Sequence, residues 1–161
     1  MNTTLLLGYG NPDRQDDGVA WHVMHTLALQ LGLPASDSYE DEFPPNDRLD
    51  LDFQLQLTPE MAEQLSRAER VCFVDAHTGS QTSDVQLVPL STEFQHSPFT
   101  HHLTPQTLLA LCQTLYSKTP QAFLLSVRGH RFEFERQLSP ETQALVPEAL
   151  KLLLEWLEES K

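Results

Sequence analysis

The sequence predicts an α/β fold, a three-layer αβα sandwich in which a twisted, mostly parallel sheet of about five strands is flanked by helices on both faces. Three observations lead there. Stretches of strand character alternate along the chain with stretches of helical spacing. Two of the strand runs, VCFVDA at 71–76 and AFLLSV at 122–127, are almost wholly apolar, the mark of strands covered on both faces. Three further stretches open on Ser/Thr-Pro, a helix start. With 161 residues, 40% of them hydrophobic, the chain suits a single domain spanning 1–161.

The elements follow in order. Residues 3–9 form a short apolar run stopped by Gly8, Gly10, Asn11 and Pro12, a buried strand ending in a loop. From Asp17 the period changes: Val19, Val23, Met24, Leu27, Ala28 and Leu31 recur at three and four, and Gly32 and Pro34 end a helix over 17–31. Residues 34–50 are acidic, proline-rich and aperiodic, an exposed loop. In 51–57, LDFQLQL alternates apolar and polar residues as a half-solvated strand near a sheet edge does.

Thr58-Pro59-Glu60 offers a cap, a proline and an acidic first turn to a helix through Met61, Leu65 and Ala68. After the strand 71–76 comes another at 84–90, its end weakened by Pro89. Thr104-Pro105 opens a helix through Leu108, Leu111, Cys112 and Leu115. Beyond the strand 122–127, residues 131–138 read as a short edge strand or an irregular arm. Ser139-Pro140-Glu141 caps a final helix through Leu145, Ala149, Leu150, Leu153, Leu154 and Leu157, bent or restarted at Pro147.

Charge narrows the function. Twenty-three acidic against ten basic residues leave a net −13, which repels phosphate backbones and anionic lipid, so the expected partners are cations or basic protein segments. Nucleic acid and membrane are not expected partners, and with no basic n-region and no long apolar run at the start, the cytoplasm is the expected location. Cys72 and Cys112, the two cysteines, are expected to be buried small residues rather than a disulfide framework or zinc knuckle.

In such a fold the C-terminal ends of the strands share one rim, and ligands bind in the crevice there. Asn11, Asp13, Arg14, Asp16 and Asp17 follow the first strand; Asp75, His77 and Thr78 follow the third. All are expected at one cleft. Nucleotide binding is a poor fit for G-Y-G-N at 8–11, because the third glycine is missing and Asp16-Asp17 opposes pyrophosphate.

Asp16 and Asp17 sit where helix capping alone would explain one carboxylate more easily than two. Asp75 ends an apolar strand, where a carboxylate must be paired, hydrogen-bonded or ligating. With the adjacent His101-His102 the rim offers two carboxylates and an imidazole, a set suited to Ni, Zn or Mn with coordination positions left open. His77 and Asp16 are expected to support the ligands from behind. His96 and His130 are expected to be exposed, and no nucleophile elbow is present.

GYGNPDRQDDG at 8–18, VDA at 74–76, THHLTP at 100–105 and RGHRFEFERQLSP at 128–140, in this order and spacing, resemble the [NiFe]-hydrogenase maturation endopeptidases over nearly the whole chain. The resemblance implies a five-stranded sheet between helices and an enzyme that clips the C-terminal extension from the nickel-loaded precursor of a hydrogenase large subunit. It also implies three metal-binding residues, here Asp17, Asp75 and His101, with His102 the alternative one position on.

The nickel would come with the precursor, and hydrolysis would be of the aspartic or the metal-dependent type, the water activated by a carboxylate or polarised by the metal. A monomer is expected. Where many members carry a Gly-rich D-G-G-T-type segment after the second strand, this chain has LDFQLQLTPEM. The alternatives are a non-catalytic hydrogenase-assembly chaperone using the same cleft, and a metal-dependent hydrolase of small molecules.

Overall fold

The structure, a computed structural model, describes residues 2–91 and 103–159. One sheet organises them, with strand order β2-β1-β3-β5-β4: β1 (Thr4–Tyr9), β2 (Asp50–Gln54), β3 (Arg70–His77), β4 (Val85–Leu90) and β5 (Gln121–Arg128). Pairs β1/β2, β1/β3 and β3/β5 are parallel, and β4 closes the far edge antiparallel to β5. The predicted α/β sandwich is therefore what forms, with β3 in the middle as its apolar run requires.

Strand alternation divides the core into two layers. Leu6, Cys72, Val74, Leu125 and Val127 face α1 (Val19–Gln30) and α5 (Val146–Glu158), meeting Val23, Met24, Leu27, Leu153 and Trp156. Leu5, Leu7, Val71 and Phe73 face α2 (Met61–Ser66) and α3 (Pro105–Tyr116), meeting Leu65, Leu108, Leu109 and Cys112. Burying each such side chain contributes about 1.5–3 kcal/mol, which is what holds helices on both faces. Cys72 and Cys112 are free and buried, as expected.

The helix starts are only partly those predicted. Thr104 accepts the Thr107 N–H at 3.1 Å and Ser139 accepts the Thr142 N–H at 3.2 Å, both caps with proline next. The last helix restarts rather than bends: α4 (Pro140–Gln143) ends before α5, whose second residue is Pro147. Thr58, by contrast, supplies its carbonyl to the Met61 N–H at 3.1 Å; α2 begins at Met61, two residues after the expected Pro59, and the Thr58 side chain caps no helix N–H.

Helix α1 starts at Val19, not Asp17. Residues Pro12–Gly18 are a kinked 3-10 segment in which Gln15 adopts φ 53, and the cap position of α1 is Gly18 with no side-chain bond. Strand β2 stops at Gln54, leaving Leu55 59% exposed before the chain turns inward at Leu57. Residues 34–49 hold no helix or strand, and residues 131–138 form an irregular arm rather than an edge strand.

Candidate active site

Beyond the C-terminal ends of β1 and β3 a cavity of about 640 Å³ opens on the α2/α3 side of the sheet, lined by Tyr9, Gly10, Asp17, Leu55–Pro59, Asp75, Leu103 and Thr107. Its position follows from register. Gly8 lies opposite Val74, so Tyr9 and Asp75 are the next pair, on the face that carries Leu7 and Phe73.

Asp17 arrives from the 3-10 segment and is aimed by its own loop. The Asn11 N–H donates to Asp17 Oδ2 at 2.8 Å, Asn11 Oδ1 accepts the Asp13 N–H at 3.0 Å, and the Gly10 N–H donates to the Gln54 carbonyl at 3.2 Å. Gly10 adopts φ 140, and a Cβ there would collide with the Asp17 carbonyl. The close return of the loop on itself requires glycine at this point.

Asp75 accepts the Ala76 N–H at 2.7 Å and a hydrogen bond from the Tyr9 hydroxyl. Its pKa is pushed up to about 7: burial disfavours the charged form, the Tyr9 and Ala76 donors oppose that, and Asp17 across the cavity raises it further. The Tyr9 phenol is raised in turn, by burial and then by Asp75. Two carboxylates thus face one space, an arrangement that a bound positive charge relieves. Strand alternation would have found Tyr9, since it shares a face and a register row with Asp75.

The other rim residues divide away from this cavity. Asp16 is fully buried and is not a support for ligands: Oδ1 accepts the Ser139 N–H at 2.8 Å, while Oδ2 accepts the His130 N–H at 2.8 Å, the Arg131 N–H at 2.9 Å and the Ser139 hydroxyl at 2.6 Å. Burial would raise its pKa, but these donors hold it below the usual carboxylate range. Asp13 turns outward to the Tyr39 hydroxyl at 2.6 Å and Arg136 Nε at 2.7 Å, and Arg14 lies over the ring of Phe134.

His77 is buried but does not line the cavity. Its Nδ1 accepts the Gly79 N–H at 3.1 Å and its Nε2 lies 3.2 Å from the Asp84 carbonyl, so both ring nitrogens brace the β3–β4 loop. A supporting role behind Asp75 is therefore withdrawn. His130 is exposed as expected, its Nδ1 2.9 Å from Thr142 Oγ1. His96, His101 and His102 lie outside the described residues. Among the described residues no three His, Cys, Asp or Glu side chains converge as a metal site.

No protein-family model and no curated protein sequence matches the chain. Solved structures do. The hydrogenase maturating endopeptidase HybD from Escherichia coli matches with 18% identity and TM-score 0.72, over 99% of this chain and 94% of that one. The [NiFe] hydrogenase maturation protease HycI from Thermococcus kodakarensis matches with 14% identity and TM-score 0.64, over 98% and 93%. A hydrogenase 2 maturation peptidase from a Thaumarchaeota archaeon matches with 18% identity and TM-score 0.63, over 97% and 98%. Across its full described length, the chain has the fold of the hydrogenase maturation endopeptidases.

Proposed function

We propose that the chain is an endopeptidase of hydrogenase maturation, which recognises nickel carried by the precursor of a [NiFe]-hydrogenase large subunit and removes its C-terminal extension. The observation that carries this reading is the pair Asp17 and Asp75, brought from two separate strand ends to one cavity. The names of the structural neighbours point the same way. His101, or His102 beside it, supplies the third, nitrogen donor, a set that suits a divalent first-row ion.

The nickel is cargo of the substrate, and its contact with both carboxylates docks the scissile peptide and reports that loading is complete. Bound there, the ion supplies Lewis-acid polarisation. A carboxylate of the pair takes a proton from the attacking water as the oxygen adds to the scissile carbonyl, and the proton then passes to the leaving nitrogen. Leu55 and Leu57, in the stretch that stands in place of the family's glycine-rich segment, and Leu103, just before α3, give the cavity its apolar lining.

Incubation of the protein with nickel-loaded and apo precursor, followed by mass spectrometry of the large subunit, tests this. Loaded precursor is shortened and apo precursor is not; Asp17→Asn and His101→Ala lose cleavage by about a hundredfold or more. Equal cleavage of both precursors sinks the nickel-recognition step. Docking without cleavage establishes the chaperone reading instead.

A further inference from the structure

We propose that the outer edge of β2 is a docking strand, to which an extended basic segment of the protein substrate adds as a further strand of the sheet on its way into the Asp17–Asp75 cavity. The partner's identity rests on the endopeptidase reading; the edge itself does not.

Among the described residues strand β2 is the outermost strand and pairs with β1 alone. Because the Gly10 N–H donates to the Gln54 carbonyl, Gln54 directs its backbone groups toward β1. Alternation then turns those of Asp50 and Asp52 the same way and those of Leu51 and Phe53 outward. No described residue hydrogen-bonds these outward N–H and C=O groups. Such a row is a template for another strand.

The space beside the edge is open. A groove of about 340 Å³ separates β2 from residues 42–46 of the preceding loop. Pro44 and Pro45 lie on that outer wall, where they have no N–H to offer a ladder, so the loop runs along the strand without pairing to it. Among the described residues Glu42, Asp50 and Asp52 line the groove and no Lys or Arg does. Arg67 lies near Asp50 and Asp52 on the α2 side, and one amide hydrogen bond reaches each acid, from Asn2 to Asp50 at 3.1 Å and from Gln54 to Asp52 at 2.8 Å. Leu51 and Phe53 pack toward the α1 layer, so Asp50 and Asp52 form a row on the opposite face.

An incoming strand therefore meets two carboxylates at alternate positions, Asp50 and Asp52, and cross-strand pairing favours lysine or arginine there. Charge sets the occupant as basic; alternation sets its pattern. The same strand sets its destination, since β2 continues directly into Leu55–Pro59, which lines the cavity with Asp17 and Asp75. Five residues of ladder guide a segment over about 17 Å.

The test uses a synthetic peptide of about ten residues alternating lysine and valine, a glutamate–valine control, and amide hydrogen exchange read residue by residue. At saturation with the lysine peptide, the amides of Leu51 and Phe53 exchange at least about tenfold more slowly, and Asp17→Asn binds as the parent does. The pair Glu42→Lys and Asp52→Lys weakens the peptide by about tenfold or more and raises KM for nickel-loaded precursor by a similar factor with kcat unchanged.

Failure of the lysine peptide to bind, equal binding of the glutamate peptide, or unprotected Leu51 and Phe53 amides at saturation overturns the proposal and leaves prolines and acids as mere protection of an edge. Cleavage of precursor with those amides unprotected rejects the edge and keeps the endopeptidase reading. Protected amides without cleavage of any precursor do the reverse.

Discussion

The kinked segment Pro12–Gly18 turns one face to the irregular arm at 131–138 and the residues that flank it and the other to the cavity, and the two faces use their carboxylates in opposite ways. Asp16 is saturated by donors from His130, Arg131 and Ser139, with Thr142 Oγ1 2.8 Å away, and its backbone N–H donates to the Arg131 carbonyl at 3.1 Å. Gln15 adds its N–H to the Glu135 carbonyl at 2.8 Å. Among the described residues Asp17 is held by one backbone donor and lines the cavity beside Asp75. A buried carboxylate with full partners fixes a shape; a half-buried one with spare lone pairs is left available for a ligand. The rigid face is what allows the open face to be precise, because the arm anchors the loop that aims Asp17.

The largest effect expected is at Asp16. Asp16→Ala leaves several buried donors without an acceptor and destabilises the fold by about 3–5 kcal/mol, measured as a lower urea midpoint. A loss below about 1 kcal/mol would mean that the arm does not depend on it. Gly10→Ala comes next: a Cβ at φ 140 meets the Asp17 carbonyl, which costs about 1–3 kcal/mol and removes cleavage by displacing Asp17. If cleavage survives Gly10→Ala while stability falls, the loop's aim is not what serves the reaction. Asp17→Asn keeps an oxygen for the Asn11 N–H and changes stability by less than about 1 kcal/mol, yet abolishes cleavage. Similar losses of stability at Asp16 and Asp17 would erase the contrast between the two faces.

The fold was legible because the period of hydrophobic residues follows the sheet's layering: the runs at 71–76 and 122–127 are β3 and β5, which with β1 form the interior of the sheet. Asp17 and Asp75 were legible as members of a rim, since chain order and parallel pairing bring those strand ends together. The opposite fates of Asp16 and Asp17 were not, because they depend on an irregular arm more than a hundred residues away whose backbone has no periodic signature. His77 misled for a related reason: strand alternation put it on the side of Asp75, but the turn at Gly79 captured its ring. The late start of α2 shows the same limit, as Thr58 serves through its carbonyl rather than its hydroxyl.

The finest test of the comparison is pH, because the two kinds of carboxylate carry opposite signs. Asp16 is held below its unfolded pKa, so it binds fewer protons folded than unfolded; its contribution is present above the ordinary carboxylate range and is lost as pH falls through the folded value. Asp75 is held at about 7, above its unfolded value, so the folded state keeps a proton that the unfolded chain releases. Stability then declines as pH rises from the ordinary carboxylate range to about 7, and levels off beyond. Asp75→Asn removes that decline while leaving the acid limb, and the acid limb is shallower in variants of Asp16. Tyr9→Phe is the smallest change that still discriminates: it deletes a donor that favours the carboxylate, so the Asp75 titration followed by carboxyl NMR moves above its value of about 7. A downward movement would show that Tyr9 favours the protonated acid, and Asp75 would then owe its elevation to the phenol rather than to burial and to Asp17.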